Sequence, residues 1–314
     1  MEIYETQSEI AKRKSWLLSS VVVLLVSLGV LIFLQGIAVA LLPFLFGLSL
    51  EDLASLLAGN YDIPNARMAF FFIQGLGGGI GFWLAAYIIS SKIDKANLHW
   101  DIQVSRINFF GILMLSAITL GGMLFNAFLI DFNSHLVLPE SMSGLEAWMK
   151  ETENQMMELT KFLTDFENIQ EFIAGIFVIG VLAGIGEEVF FRGLIQPKIR
   201  LYTGSIHWGI WLTAIIFSAI HMQFYGFLPR VFLGAIFGYL YVYSGSLVYP
   251  ILAHIFNNSI TVLLVYLAKQ GNIEFDVEAT DQVSYPLAFL GLLVLLVGIY
   301  YFKRLNLRND GKLG

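Results

Sequence analysis

The 314-residue sequence contains no cysteine. Disulfides, thiolate metal sites and thiol catalysis are excluded at once. Charge is scarce as well. Asp, Glu, Lys and Arg together make up 13% of the residues, about half the ~25% usual in a soluble domain. The net charge of −6 gives no basic surface, so no nucleic-acid partner is expected. Internal repeats and low-complexity segments are missing too, which leaves a single-domain reading.

What the chain has instead is apolar length. Hydrophobic residues account for 57% of it, and a helix needs about 20 consecutive apolar residues to cross a bilayer. Candidate spans cover 16–47, 68–90, 108–130, 172–196, 207–227, 229–243, 246–268 and 284–302. The expected fold is therefore all-α: a polytopic membrane protein of about eight transmembrane helices, with membrane lipids as its first partners. The first run is too long for a signal-peptide core and lacks a small-residue cleavage site, so it reads as retained. Pro229 in the Gly226–Phe227–Leu228–Pro229 stretch marks a turn or a helix start.

Basic residues set the expected orientation. Lys12, Arg13 and Lys14 place the N-terminus in the cytoplasm. With eight spans, Lys92, Lys95 and Arg106, then Lys198 and Arg200, then Lys303, Arg304, Arg308 and Lys312 fall on the same side. The opposite loops are acidic: Glu51, Asp52 and Asp62; the long loop 131–171; and Glu274, Asp276, Glu278 and Asp281. The chain divides into a cytoplasmic segment (1–15), three N-terminal spans (16–130), an extracytoplasmic loop (131–171), a core (172–268), and a last span with a cytoplasmic tail (269–314). In the long loop, Leu145, Trp148, Met149, Met156, Leu159 and Leu163 keep a helical period with acids on the other face. That pattern predicts an amphipathic helix on the outer membrane surface, opened by a Ser143–Glu146 capping box.

Two glycine-containing stretches invite functional readings that fail on context. GLGGGIG, residues 75–81, follows no strand and lies inside an apolar span, so it is no phosphate loop. Gly75 with Gly79, and Gly77 with Gly81, instead suit close helix packing. Gly47-Leu48-Ser49 resembles a nucleophile turn but has no histidine at its level.

Ionisable residues inside spans mark function by default, and here they are few. Glu187, Glu188 and Arg192 lie in span four, His221 in span five, His254 in span seven. At ~1.5 Å rise per residue, Glu187, His221, His254 and Asn258 all sit about 12–20 Å from the cytoplasmic end. Three helices thus bring polar groups to one level near mid-membrane. Adjacent helical residues point ~100° apart, so Glu187 and Glu188 face different ways. Glu188 and Arg192 form an i,i+4 pair in the favourable order, while Glu187 has no cation within a turn. Phe217, one turn before His221, walls that side.

A Glu–His pair can deprotonate a water, and a second His with an Asn amide can donate hydrogen bonds to an oxyanion. That set suits peptide hydrolysis. The same Glu187, His221 and His254 could hold a divalent metal such as zinc with an open position, although H-E-x-x-H is absent. A proton-coupled transporter and a non-catalytic immunity or scaffold protein also stay open at this point.

Three motifs in order, GEEVFFRG (Glu187, Glu188, Arg192), FSAIH (Phe217, His221) and HIFNN (His254, Asn258), resemble the CPBP or Abi family of CAAX proteases and bacteriocin-processing enzymes. The resemblance covers roughly 172–268. It implies a type II CAAX prenyl endopeptidase-like intramembrane protease with a conical cavity open to the cytoplasm, and a membrane-anchored, prenylated or bacteriocin-like substrate. By the resemblance Glu187 is the base that activates water, assisted by His221; His254 and Asn258 stabilise the oxyanion; Glu188 and Arg192 hold the site together. The family has been described both as metal-dependent and as glutamate-dependent, so the cofactor stays open between a divalent metal and none. The bacterial cytoplasmic membrane is the expected location, with both termini in the cytoplasm.

Overall fold

The computed structural model describes residues 4, 6–97, 99–274 and 283–310, with side chains to 306. The acids Asp276, Glu278 and Asp281, the side chain of Arg308, and Lys312 lie outside that set. The helices are α1 (Arg13–Phe46), α2 (Leu50–Leu57), α3 (Ala66–Ile93), α4 (Trp100–Ser105), α5 (Phe109–Ser134), α6 (Ser143–Thr164), α7 (Ile169–Thr203), α8 (Ile206–Ala219), α9 (Phe227–Ser244), α10 (Val248–Lys269) and α11 (Tyr285–Asp310).

Seven of them, α1, α3, α5, α7, α9, α10 and α11, are long and apolar enough to cross a membrane. The protein is an all-helical, polytopic integral membrane protein. The eighth expected span is shorter than its apolar run suggested. Helix α8 stops at Ala219 after 14 residues, a rise of ~21 Å, and the chain continues to Gly226 as an irregular turn. Irregular backbone at membrane depth survives only where protein or a cavity satisfies it. Here the ends of Asn133 do much of that work: its Nδ2 donates to Phe224 O at 2.9 Å and its Oδ1 accepts from Leu228 N at 3.0 Å. Glu153 Oε2 accepts from Tyr225 N at 3.1 Å, and Ser218 Oγ donates to Phe227 O at 2.8 Å.

Helix α7 is central and packs against α3, α8 and α10. Two glycines set those approaches. A Cβ on Gly184 would stand 2.7 Å from Ile255 Cγ1 of α10, and one on Gly186 would overlap the Gly79 carbonyl of α3. The glycine run in α3 packs as expected: Gly75 and Gly79 meet Val178 and Leu182, while Gly77 and Gly81 meet Gln35 and Leu31 of α1. Ser49 has a structural task. It caps α2, accepting from Asp52 N at 3.0 Å in a reciprocal capping box. Ser143 has no such box: Met142 is the N-cap of α6 and makes no side-chain capping bond. A 3-10 turn at Glu140–Met142 leads straight into the helix and occupies that place.

Span four continues past its expected end. α7 runs through Pro197 to Thr203, because a π-helical stretch at Phe191–Ile195 directly precedes the proline. A wider turn tolerates the missing N–H that would break an α-helix.

The two ends of the bundle differ in charge. One end gathers Lys12, Arg13 and Lys14, Lys92 and Lys95, Arg106, Lys198, Arg200, Lys303 and Arg304. The other carries α2, α6 and the turn 220–226. Three of its cations are matched locally: Arg67 pairs with Glu171, Lys150 with Glu146 at 2.7 Å and Lys269 with Asp165 at 2.5 Å.

Candidate active site

The α-helical segment that carries the two glutamates lies between π-helical stretches at Ile176–Leu182 and Phe191–Ile195. Such insertions redirect side chains and recur at functional sites. The two carboxylates diverge, as adjacent helical positions must. Glu188 turns into the bundle and is fully buried; Glu187 keeps 16% of its side chain accessible.

Glu188 Oε1 accepts from Arg192 Nη1 at 2.6 Å, and neither residue is exposed. The guanidinium is held further by Gly234 O of α9, 2.9 Å from Nη2, and by the rings of Phe217 and Phe237, 4.8 and 5.5 Å from Cζ. This is the expected pair. It has a partner that spacing alone did not reveal. His254 Nδ1 lies 2.8 Å from the same Glu188 oxygen, so Glu188 fixes a histidine as well as an arginine. The ring of His254 stacks on Phe237 at 5.2 Å. Its other nitrogen, Nε2, points toward Glu187 Oε2 at 4.0 Å.

His221 lies just beyond the end of α8, in the turn. Its Nδ1 is 2.7 Å from Phe217 O. A carbonyl only accepts, so Nδ1 carries the proton there and Nε2 is the acceptor. Asn258 Nδ2 donates to Ile179 O of α7 at 2.9 Å, and its Oδ1 accepts from Asn257 Nδ2 at 3.1 Å. One of the two amide N–H groups is thereby committed and the orientation fixed.

Glu187, Phe217, His221, His254 and Asn258 line one cavity of about 370 Å³. The structure thus brings together the groups that the depth argument placed on one level. Asn257, next to Asn258 on α10, lines the same wall. The structure adds two elements that the sequence reading left out of the site. One is Arg230, whose guanidinium bonds Gln223 O at 3.4 Å and the Gln223 side chain. A cation at the end otherwise poor in cations was the available signal. The other is α6, whose Thr160, Leu163 and Thr164 form the far wall of the cavity. The amphipathic helix therefore roofs the site.

His207, exposed in the first turn of α8, lies 2.8 Å from the Tyr239 hydroxyl and does not line the cavity. The metal reading fares less well. Among the described residues no group of three or more His, Asp or Glu is arranged to hold a metal ion. Of the candidate ligands, His254 commits Nδ1 to Glu188 and stands 4.0 Å from Glu187. The set as built does not fit a three-ligand site.

The cavity also bears on its expected opening. Its walls lead to α6 and the start of α9, at the end opposite the N-terminal segment.

The segment of residues 169–260 matches the family described as Rce1-like, the type II CAAX prenyl endopeptidases. It contains Glu187, Glu188, Arg192, Phe217, His221, His254 and Asn258, and excludes α6. The family is one of proteases, so a protein or peptide substrate is implied. No curated protein matches the chain. No solved structure matches it either.

Proposed function

We propose that the protein is an intramembrane endopeptidase that hydrolyses a peptide bond of a membrane-associated protein or peptide, with Glu187 as general base. The observation that carries this reading is one cavity lined by a partly accessible carboxylate, two imidazoles and an amide inside an Rce1-like domain. A 4.0 Å gap between Glu187 Oε2 and His254 Nε2 is too long for a direct hydrogen bond and suits a shared water. Glu187 takes a proton from that water as it attacks the scissile carbonyl. His221, with Nε2 as acceptor, assists.

The developing oxyanion needs donors. His254, held by the Glu188 carboxylate through Nδ1, presents Nε2–H to the cavity when protonated. Asn258 offers its second amide N–H, the first being fixed on Ile179 O. The Glu188–Arg192 pair positions His254 without touching substrate. The proton on Glu187 then passes to the leaving amine, which completes hydrolysis.

The test compares peptides released from membranes that contain the wild-type protein or Glu187→Gln. The variant inserts and folds but releases none of the Glu187-dependent fragments. Fragments that persist unchanged refute the assignment.

A further inference from the structure

We infer that the catalytic cavity opens on the non-cytoplasmic face of the membrane, beneath α6, and that its substrates are peptide segments presented there. Three observations meet in this placement. First, the cavity is closed toward the cationic end. One turn below Glu187, Phe191 and Arg192 are at most 1% exposed, as is the adjacent Glu188, and Phe217 and Phe237 complete the layer at 5% and 2%. Second, it is open toward α6. A second cavity of about 530 Å³ lies between α6 and the turn 223–226 and shares Thr160 and Arg230 with the first. The two cavities adjoin under the roof helix.

Third, the cations give the closed end its side. The N-terminal segment and the ends of α3, α7, α9 and α11 meet there. Tyr4 bonds Asp94, Arg106 Nη1 bonds Ser244 O at 3.1 Å, and Lys303 lies over the Tyr243 ring. Most of the 18 Lys and Arg residues gather at this end, and such a bias faces the cytoplasm. The open end then faces away from it. The roof is joined to the bundle at spaced points, by Trp148 on Phe224 at 5.3 Å, Tyr225 N on Glu153, and Phe162 stacked on Tyr61 at 4.2 Å. Because α6 lies outside residues 169–260, its Thr160–Leu163–Thr164 face is a wall that belongs to this chain and not to the shared domain. That wall selects which segment reaches Glu187.

The sidedness and the roof stand on geometry and charge; that peptides enter rests on the proposed function. The cysteine-free sequence allows a direct test by single cysteines: Ser8→Cys at the cationic end, Gly144→Cys at the start of α6, and Thr261→Cys inside the cavity. Asn257→Cys serves as a second cavity reporter if Thr261→Cys does not fold. Spheroplasts of an expressing bacterium are treated with a membrane-impermeant maleimide. Gly144→Cys and the cavity cysteine label in intact spheroplasts; Ser8→Cys labels only after permeabilisation. Adding Leu163→Trp to the cavity reporter slows its labelling at least tenfold and leaves Gly144→Cys unchanged.

A cavity cysteine that labels together with Ser8→Cys, or only after denaturation, overturns the inference. Equal labelling with and without Leu163→Trp removes α6 as the wall. Cleavage sites that depend on Glu187 should map to non-cytoplasmic segments, and sites confined to cytoplasmic segments overturn the substrate class. If no cleavage depends on Glu187, the protease reading falls while the labelling result still decides the sidedness.

Discussion

Two buried ion pairs share helix α7, six residues or ~9 Å apart along its axis. Lys198 pairs with Asp94 of α3 at 2.7 Å, 3% and 1% exposed. Arg192 pairs with Glu188 at 2.6 Å, both at 0%. Each joins several elements. Lys198 Nζ also donates to Ser19 Oγ of α1 at 2.8 Å, and Asp94 accepts from Tyr4 and, through its backbone carbonyl, from Thr6 Oγ1 at 2.6 Å. Burial, and after it the Asp94 carboxylate, raises the pKa of the Tyr4 hydroxyl and keeps it a donor. The difference lies in what stands beside each pair. Asp94 and Lys198 satisfy one another and a ring of hydroxyls. Glu188 and Arg192 hold a histidine whose free nitrogen turns to a second, partly accessible carboxylate on a cavity. A buried pair alone marks packing; a partly accessible carboxylate and an imidazole nitrogen facing a cavity beside the second pair are what support the proposed chemistry there.

Removing that surplus breaks the comparison most sharply. Glu187→Gln should lower the rate of peptide hydrolysis on the order of 10³-fold, the scale of a lost general base. It should leave the thermal unfolding midpoint in detergent nearly unchanged, because Glu187 neutralises no buried cation by direct contact. A large fall in stability would place Glu187 with the structural residues.

Glu188→Gln tests the pair in the site. It leaves Arg192 buried without its counter-ion, a loss of about 3–5 kcal/mol, and leaves His254 Nδ1 a neutral amide oxygen in place of a carboxylate. Both stability and activity should fall. Replacing both partners, Glu188→Leu with Arg192→Met, should recover much of the stability, since an apolar pair needs no compensation. Activity should stay lost, because His254 still lacks its anchor. Recovery of hydrolysis in the double variant would show that Glu188 does not position His254.

Much of this site was legible before any coordinates. The long apolar runs mark the spans, and the i,i+4 spacing of Glu188 and Arg192 forecasts their contact. The common depth of Glu187, His221, His254 and Asn258 follows from counting residues along straight helices. Other parts had no local signal. The run around 206–228 is apolar throughout, so nothing in it shows that α8 ends at Ala219 and leaves His221 in a turn. That end is fixed by partners distant in sequence, Asn133 and Glu153. The period of α6 shows an apolar face but not what it covers. The opening toward the cytoplasm came from family likeness, and no local pattern placed Thr160, Leu163 and Thr164 of α6 in the cavity wall.

Gly186→Ala tests the frame that both pairs share. Its Cβ would overlap the Gly79 carbonyl, a backbone atom that cannot rotate aside. The cost of forcing α3 and α7 apart is about 1–3 kcal/mol. Because the neighbouring residue is Glu187, activity measured per folded molecule should drop as well. Unfolding midpoints and hydrolysis rates in detergent check both. A stability loss with unchanged activity would mean that the cavity tolerates a shift of α7.

The smallest effect is expected at the saturated pair. Asp94→Asn removes the charge facing Lys198 and keeps an oxygen for Tyr4. Lys198 lies near the end of α7, where its stem can carry the ammonium toward the interface. The loss should therefore be below that of Glu188→Gln, about 1–2 kcal/mol against the 3–5 of a pair broken in the interior. Hydrolysis per folded molecule should stay within twofold, since none of the residues in this cluster lines the cavity around Glu187. Thermal unfolding of Asp94→Asn beside Glu188→Gln, with rates normalised to folded protein, measures the contrast directly. If Asp94→Asn lowered the normalised rate tenfold or more, the two pairs on α7 would be coupled, and the division between a packing pair and a catalytic one would not stand.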